Sequence, residues 1–203
     1  MYINENEKKL ISQEIEKLEK SSSVELVAVI AKKSSFYKYE GLLVTVAFTT
    51  IISFISLFFT NNINLFFQLQ ILVFALVFSL FYKFDDLCLN FISKKYKHKK
   101  ASQKAKKEFE NLGIKNTQTR QGIMFYVSIE EKYVEIITDE QIRKKIDNQY
   151  WQEIINEFVK DVKANEFSKG YLKAITTCSD TLIKKFPIQK NDINELSNEV
   201  IEL

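Results

Sequence analysis

Between Gly41 and Tyr82 the chain carries no Asp, Glu, Lys, Arg or His, although 27% of all its residues are charged. No other feature limits the accessible folds as strongly. The block holds two apolar runs, GLLVTVAFTTIISFISLFF (Gly41–Phe59) and LFFQLQILVFALVFSLFY (Leu65–Tyr82), separated by TNNIN. Their lengths, 19 and 18 residues, approach the roughly 20 that carry an α-helix across about 30 Å of hydrocarbon. Both runs are apolar on all sides, so neither offers a face to water. The polar gap between them is turn-prone and suits a tight helical hairpin. The alternative is a core hairpin in a soluble protein, which would oblige the remaining residues to cover two wholly apolar helices.

The flanks orient such a hairpin. Lys32, Lys33 and Lys38 precede it, Lys83 and a lysine-rich stretch follow it, and the connecting loop has no cation. The positive-inside rule then places both termini in the cytoplasm and the TNNIN tip outside. The opening MYINENEKKL has no apolar segment or cleavage site, so no signal peptide is expected. The stretch KKYKHKKASQKAKK, Lys94 to Lys107, holds eight lysines just after the second run. Lys94, Lys95, Lys97, Lys99, Lys100 and Lys104 are candidates for contact with the membrane surface, where each cation near anionic lipid contributes on the order of 1 kcal/mol. A solvated helix face that fixes topology is the simpler reading of the same residues. Nucleic acid is not an expected partner: the net charge is only +3, and Tyr96 alone interleaves an aromatic ring.

Outside the block the chain reads as α/β. Four glycines and one proline leave few sharp turns, which favours helices. Leu10, Ile11, Ile15 and Leu18 recur at helical spacing over residues 6–20, behind a capping-box pair, Asn4 and Glu7. VELVAVIAK (Val24–Lys32) has the length and branching of a buried strand. Residues 84–112 read as one long helix with Ala101, Ala105, Phe109 and Leu112 on a face and Gly113 as its stop. GIMFYVSI (Gly122–Ile129) and KYVEIITD (Lys132–Asp139) form a strand pair joined at Glu130-Glu131, and three helices follow. The second carries Trp151, Ile154, Ile155, Phe158, Val159 and Val162 on one face. Neither side of the block can bury its apolar surface alone, so both belong to one sheet. The expected organisation is one α/β domain from residues 1–39 and 85–188, a two-span hairpin over 40–84 (41–59 and 65–82), and a polar tail over 189–203.

The segment GIMFYVSIEEKYVEIITDEQI resembles the strand pair of the TPM domain, which thylakoid-lumen phosphatase-like, photosystem-repair and many bacterial membrane proteins share. SSSVELVAVIAKKSS is similar to the family's first strand and YWQEIINEF to the helix after its sheet; the final NELSNEVIEL is similar to the closing motif of a bacterial branch with two inserted spans. The resemblance implies a mixed sheet sandwiched by helices, with a transmembrane hairpin inserted after the first strand, in a bacterial inner (cytoplasmic) membrane. It also implies one of two activities. Some relatives are described as acid phosphatases; others serve as assembly or maintenance factors for membrane complexes, with a membrane or cytoplasmic protein as partner.

Residues bearing on that choice are few. The family's acidic site lies near strand ends; the nearest matching position is Asp139, with Glu135 in the strand and Glu140 beside it, and no further residue matches that site. A divalent cation such as calcium is the one candidate cofactor. The glycines that usually follow this strand in exported members are missing from DEQIRKKI. Asp139 also stands where a carboxylate would cap a helix, which needs no metal. His98, the single histidine, lies among lysines, and Cys88 and Cys178 are far apart without a CxxC. Neither pattern is a nucleophile, a zinc site or a disulfide framework. A non-enzymatic adaptor without a cofactor is the expected function, with a metal-dependent acid phosphatase as the alternative.

Overall fold

Helix α1 (Glu5–Glu19) starts at the expected box: Asn4 Oδ1 accepts the Glu7 N–H at 2.9 Å, and Glu7 Oε2 accepts the Asn4 N–H at 2.7 Å. In this computed structural model, which describes residues 3–190 and 192–203, the helix buries Ile11, Ile15 and Leu18. Leu10 does not share that face and is 49% exposed. One residue is about 100° of helical rotation, so Leu10 lies a quarter-turn away from Ile11.

Strand β1 (Glu25–Ala31) is buried along its whole length because it lies inside the sheet with both faces covered. It runs parallel to β2 (Gly122–Ser128), in register from Glu25 opposite Gly122 to Ala31 opposite Ser128. Strand β3 (Tyr133–Thr138) pairs antiparallel with β2, and β4 (Ile201–Glu202) pairs parallel with β1. The sheet is mixed, in the order β3-β2-β1-β4. The apolar block between β1 and β2 is thus an insertion within one sheet, as the sequence suggests.

Alternation along the strands makes two cores. Leu26, Ala28 and Ile30, with Ile123, Phe125 and Val127, face α1, α7 (Asn148–Lys163) and α8 (Phe167–Lys185). Phe125 stacks on Tyr171 with ring centroids 4.4 Å apart and meets Phe158 edge-on at 5.2 Å; the Tyr171 hydroxyl donates to the Phe125 carbonyl at 2.8 Å. Val27, Val29, Ala31, Met124 and Tyr126 face the other way, onto Ala105 and Phe109 of α5 (Lys94–Asn111). Helix α6 (Glu140–Lys145) follows β3 directly.

The end of the chain departs from the expected polar tail. Leu196 and Ile201 pack on the second core and Val200 on the first. Leu203 N–H donates to the Ile30 carbonyl at 3.0 Å, and the Lys32 N–H donates to the Leu203 carbonyl at 2.9 Å. The open side of β1 is a row of unpaired amides, and the last residues supply the missing partner.

The chain divides into two compact units, Met1–Lys32 with Ser102–Leu203, and Lys33–Ala101. In the second, α2 (Lys38–Ser56) and α3 (Ile63–Lys83) pack antiparallel, with Phe48 against Phe81 and Gly41 against Phe81 Cβ. Asn62 caps α3 by accepting the Asn64 and Leu65 N–H groups. The two helices are long and apolar enough to cross a membrane, with mean hydropathies of 1.6 and 2.1. Only 11% and 6% of these stretches are buried, whereas a core helix of a soluble protein would be mostly covered.

The helix expected over 84–112 is interrupted. A short α4 (Asp85–Cys88) and a 3₁₀ turn (Leu89–Phe91) come first, and α5 then starts afresh. Ser93 causes the restart, because its hydroxyl accepts the Tyr96 N–H at 3.3 Å. Tyr37, Phe81, Cys88 and Leu89 form a small core here, tied by Lys33–Asp86 at 2.9 Å and Tyr96–Glu40 at 2.7 Å. The Cys88 thiol is buried and donates to the Tyr37 carbonyl at 3.7 Å.

Candidate functional site

The corner between β3 and α6 places the acidic residues singled out in the sequence. Asp139 has an extended backbone and caps α6: its Oδ1 accepts the Glu140 N–H at 2.7 Å. Arg120 approaches from the 117–121 loop as a fork, with Nε 2.8 Å from Oδ2 and Nη2 3.3 Å from Oδ1. Asp139 is 2% exposed, whereas 41% of the Arg120 side chain reaches solvent. The bonded carboxylate raises the Arg120 pKa further above its ordinary value. Two backbone bonds fasten the corner, Asp139 N–H to the Gly122 carbonyl at 2.8 Å and Gln141 N–H to the Arg120 carbonyl at 3.3 Å.

The other two carboxylates are engaged separately. Glu135 is half-buried and accepts the Tyr133 hydroxyl at 2.9 Å. Burial pushes the Tyr133 phenol up to about 12. Glu140 pairs with Lys144 at 2.7 Å, and the hydrogen bond from that lysine lowers its pKa. A divalent cation needs several carboxylate or carbonyl oxygens turned toward one point. Here Asp139 turns both oxygens to an arginine and a backbone N–H, so this donor set does not fit one. Among the described residues no three His, Cys, Asp or Glu side chains are grouped to hold a metal ion.

Beside β3 lies an open groove of about 650 Å³. Its walls are β3 from Glu135 to Thr138, the end of α6 with Arg143, Lys144 and Lys145, the start of α7, and Lys106 of α5. Of the six lysines expected at a membrane surface, Lys94, Lys95 and Lys99 are exposed. Lys97 donates to the Leu89 carbonyl at 3.0 Å, Lys100 lies over the Tyr96 ring, and Lys104 pairs with Glu108 at 2.8 Å.

Two features of the site had no local signal. Arg120 sits in NTQTRQ, read only as a loop, and meets Asp139 19 residues later. A second acidic cluster links the ends of the chain: Glu25 accepts the N–H groups of Glu195 and Leu196 at 3.1 and 3.2 Å. Beside it Glu19 accepts the Leu26 N–H at 3.0 Å and an Asn194 side-chain N–H at 3.3 Å. Burial, aided by the neighbouring Glu25, pushes Glu19 up to about 8, and burial raises Glu25 too.

A family profile described as the TPM domain matches residues 91–181. The match starts after the apolar helices and takes in β2, β3 and the helices up to α8. No curated protein matches the chain. The NMR structure of the BA42 protein from the psychrophilic bacterium Bizionia argentinensis is similar in fold. Its TM-score is 0.62 at 20% identity, over 100% of this chain and 97% of BA42. Identity at that level speaks to architecture and not to activity.

Proposed function

We propose that this chain, whose residues 91–181 match the TPM-domain profile, is a membrane-anchored, non-enzymatic adaptor or maintenance factor for membrane protein complexes. The hairpin of α2 and α3 inserts in a bacterial inner membrane, and the lysine-rich flanks hold both termini in the cytoplasm. Lys94, Lys95 and Lys99 rest against anionic headgroups, an attraction that weakens with salt. The sheet domain then holds a membrane or cytoplasmic protein partner.

The observation that carries the adaptor reading is the state of the acidic corner. Asp139 spends its carboxylate on Arg120 and the α6 cap, and Glu140 spends its own on Lys144. A general base or metal ligand needs a carboxylate available to substrate or ion. The test is hydrolysis of para-nitrophenyl phosphate by the full chain in detergent, with calcium, magnesium or manganese. No turnover above the buffer rate is expected, in the wild type or in Asp139→Asn. Turnover that Asp139→Asn abolishes would establish the phosphatase alternative instead.

A further inference from the structure

Both sides of a β-sheet end in unpaired backbone groups, and this chain treats its two ends differently. The β1 side is closed by β4 and the returning C-terminal residues. The β3 side has no strand beside it among the described residues. The direction of each β3 amide follows from the ladder. Asp139 N–H bonds the Gly122 carbonyl, so Asp139, Ile137, Glu135 and Tyr133 point their amides toward β2. Ile129 N–H bonds the Ala31 carbonyl on the opposite side of β2, which agrees with this alternation. Val134, Ile136 and Thr138 therefore turn their N–H and C=O groups outward.

Exposed edges are usually blunted by lysine, proline or a bulge. YVEIIT has neither lysine nor proline, and its register with β2 is unbroken from Tyr133 to Thr138. The groove beside it is lined by four cations, Lys106, Arg143, Lys144 and Lys145, against the carboxylates of Glu135 and Asp147. Lys144 is shared with Glu140, and Lys145 donates to the Lys185 carbonyl. Arg143 and Lys106 form no ion pair among the described residues, and both are exposed. An unpaired strand edge fits an extended peptide, and flanking cations select a negatively charged one.

We propose that β3 and this groove bind an extended, acidic segment of a partner protein, which adds to the sheet as a fifth strand. The segment pairs with the outward amides of Val134, Ile136 and Thr138, and its carboxylates lie against Arg143 and Lys106. The proposal rests on the adaptor reading and names the surface that reading requires. A second copy of the chain is the competing occupant, and the experiment separates the two.

The full chain in lipid nanodiscs is titrated with a fluorescent eight-residue peptide of alternating glutamate and valine. A lysine–valine peptide of equal length is expected to bind at least about tenfold more weakly. The variant Arg143→Glu/Lys144→Glu is expected to lose about tenfold or more. The decisive pair consists of two glutamate–valine peptides N-methylated at alternate residues, in opposite phases. In strand addition only one phase carries the bonded N–H groups, so one methylated peptide should lose about tenfold and the other bind almost normally. Deuterium exchange at Val134, Ile136 and Thr138 should slow when the unmethylated peptide is added. Equal binding by both methylated peptides, or no saturable binding up to about 1 mM, would overturn the proposal. So would protection of these amides that rises with protein concentration and without peptide, because a second copy would then occupy the edge. The hydrolysis assay tests the adaptor reading separately, so failure here removes the surface alone.

Discussion

Replacing Arg120 by methionine is expected to lower the melting temperature of the sheet domain by roughly 5 °C, and replacing Asp139 by asparagine by clearly less. The asymmetry comes from burial. Asp139 is 2% exposed, so loss of Arg120 strands an ionised carboxylate where water cannot reach it. Loss of the Asp139 charge leaves a guanidinium that already reaches solvent, and asparagine still caps α6. The double variant should resemble Asp139→Asn, because the stranded charge is gone. Trp151, the single tryptophan, is buried on α7 and reports unfolding of this domain by fluorescence. Equal costs for the two single variants would show that the pair contributes little. A larger cost for Asp139→Asn would point to a further ligand on that carboxylate.

The second large effect concerns pH. Glu19 is pushed from about 4.5 up to about 8, so the folded chain keeps a proton across this window that the unfolded chain has released. The folded state then binds more protons, and stability falls as pH rises through the window. A shift of that size corresponds to at most about 5 kcal/mol, and the partial exposure of Glu19 reduces it to roughly 2. Glu19→Gln should keep an acceptor for the Leu26 N–H and remove the titration. At pH 9 it is expected to be more stable than wild type by about that amount, and at pH 4 nearly equal. Denaturant titrations at the two pH values measure this. A Gln variant that tracks wild type across the range would show that Glu19 ionises normally.

How much of this was legible depends on the distance over which each feature is encoded. The apolar block is a local composition, so the two helices could be read directly, with ends shifted by a few residues. β1 was legible because VELVAVIAK is a run of branched apolar residues of strand length, as a buried strand requires. The capping box at Asn4 and Glu7 is likewise complete within four residues. Ser93 carried a local signal that the lysine pattern around it obscured. The return of the C-terminus was not legible: Leu196, Val200 and Ile201 are sparse among Asn and Glu, and their value depends on an open edge of β1. The Arg120–Asp139 pair spans 19 residues, and the bonds from Asn194, Glu195 and Leu196 to Glu19 and Glu25 span nearly the whole chain, so no spacing rule connects them. Asp139 was correctly placed as a cap, because the end of β3 and the start of α6 are adjacent in the chain. Whether its carboxylate was also available depended on Arg120, which only the fold brings near.

The membrane hairpin is the central claim, and topology tests it most directly. Two reporters, one active only in the cytoplasm and one only outside, are fused after Leu203 and, separately, inserted within Thr60–Asn64. The expected result is a cytoplasmic C-terminus with an external tip. A tip and C-terminus on the same side would contradict the two-span hairpin, and a C-terminus outside the membrane would contradict the placement of the sheet domain in the cytoplasm.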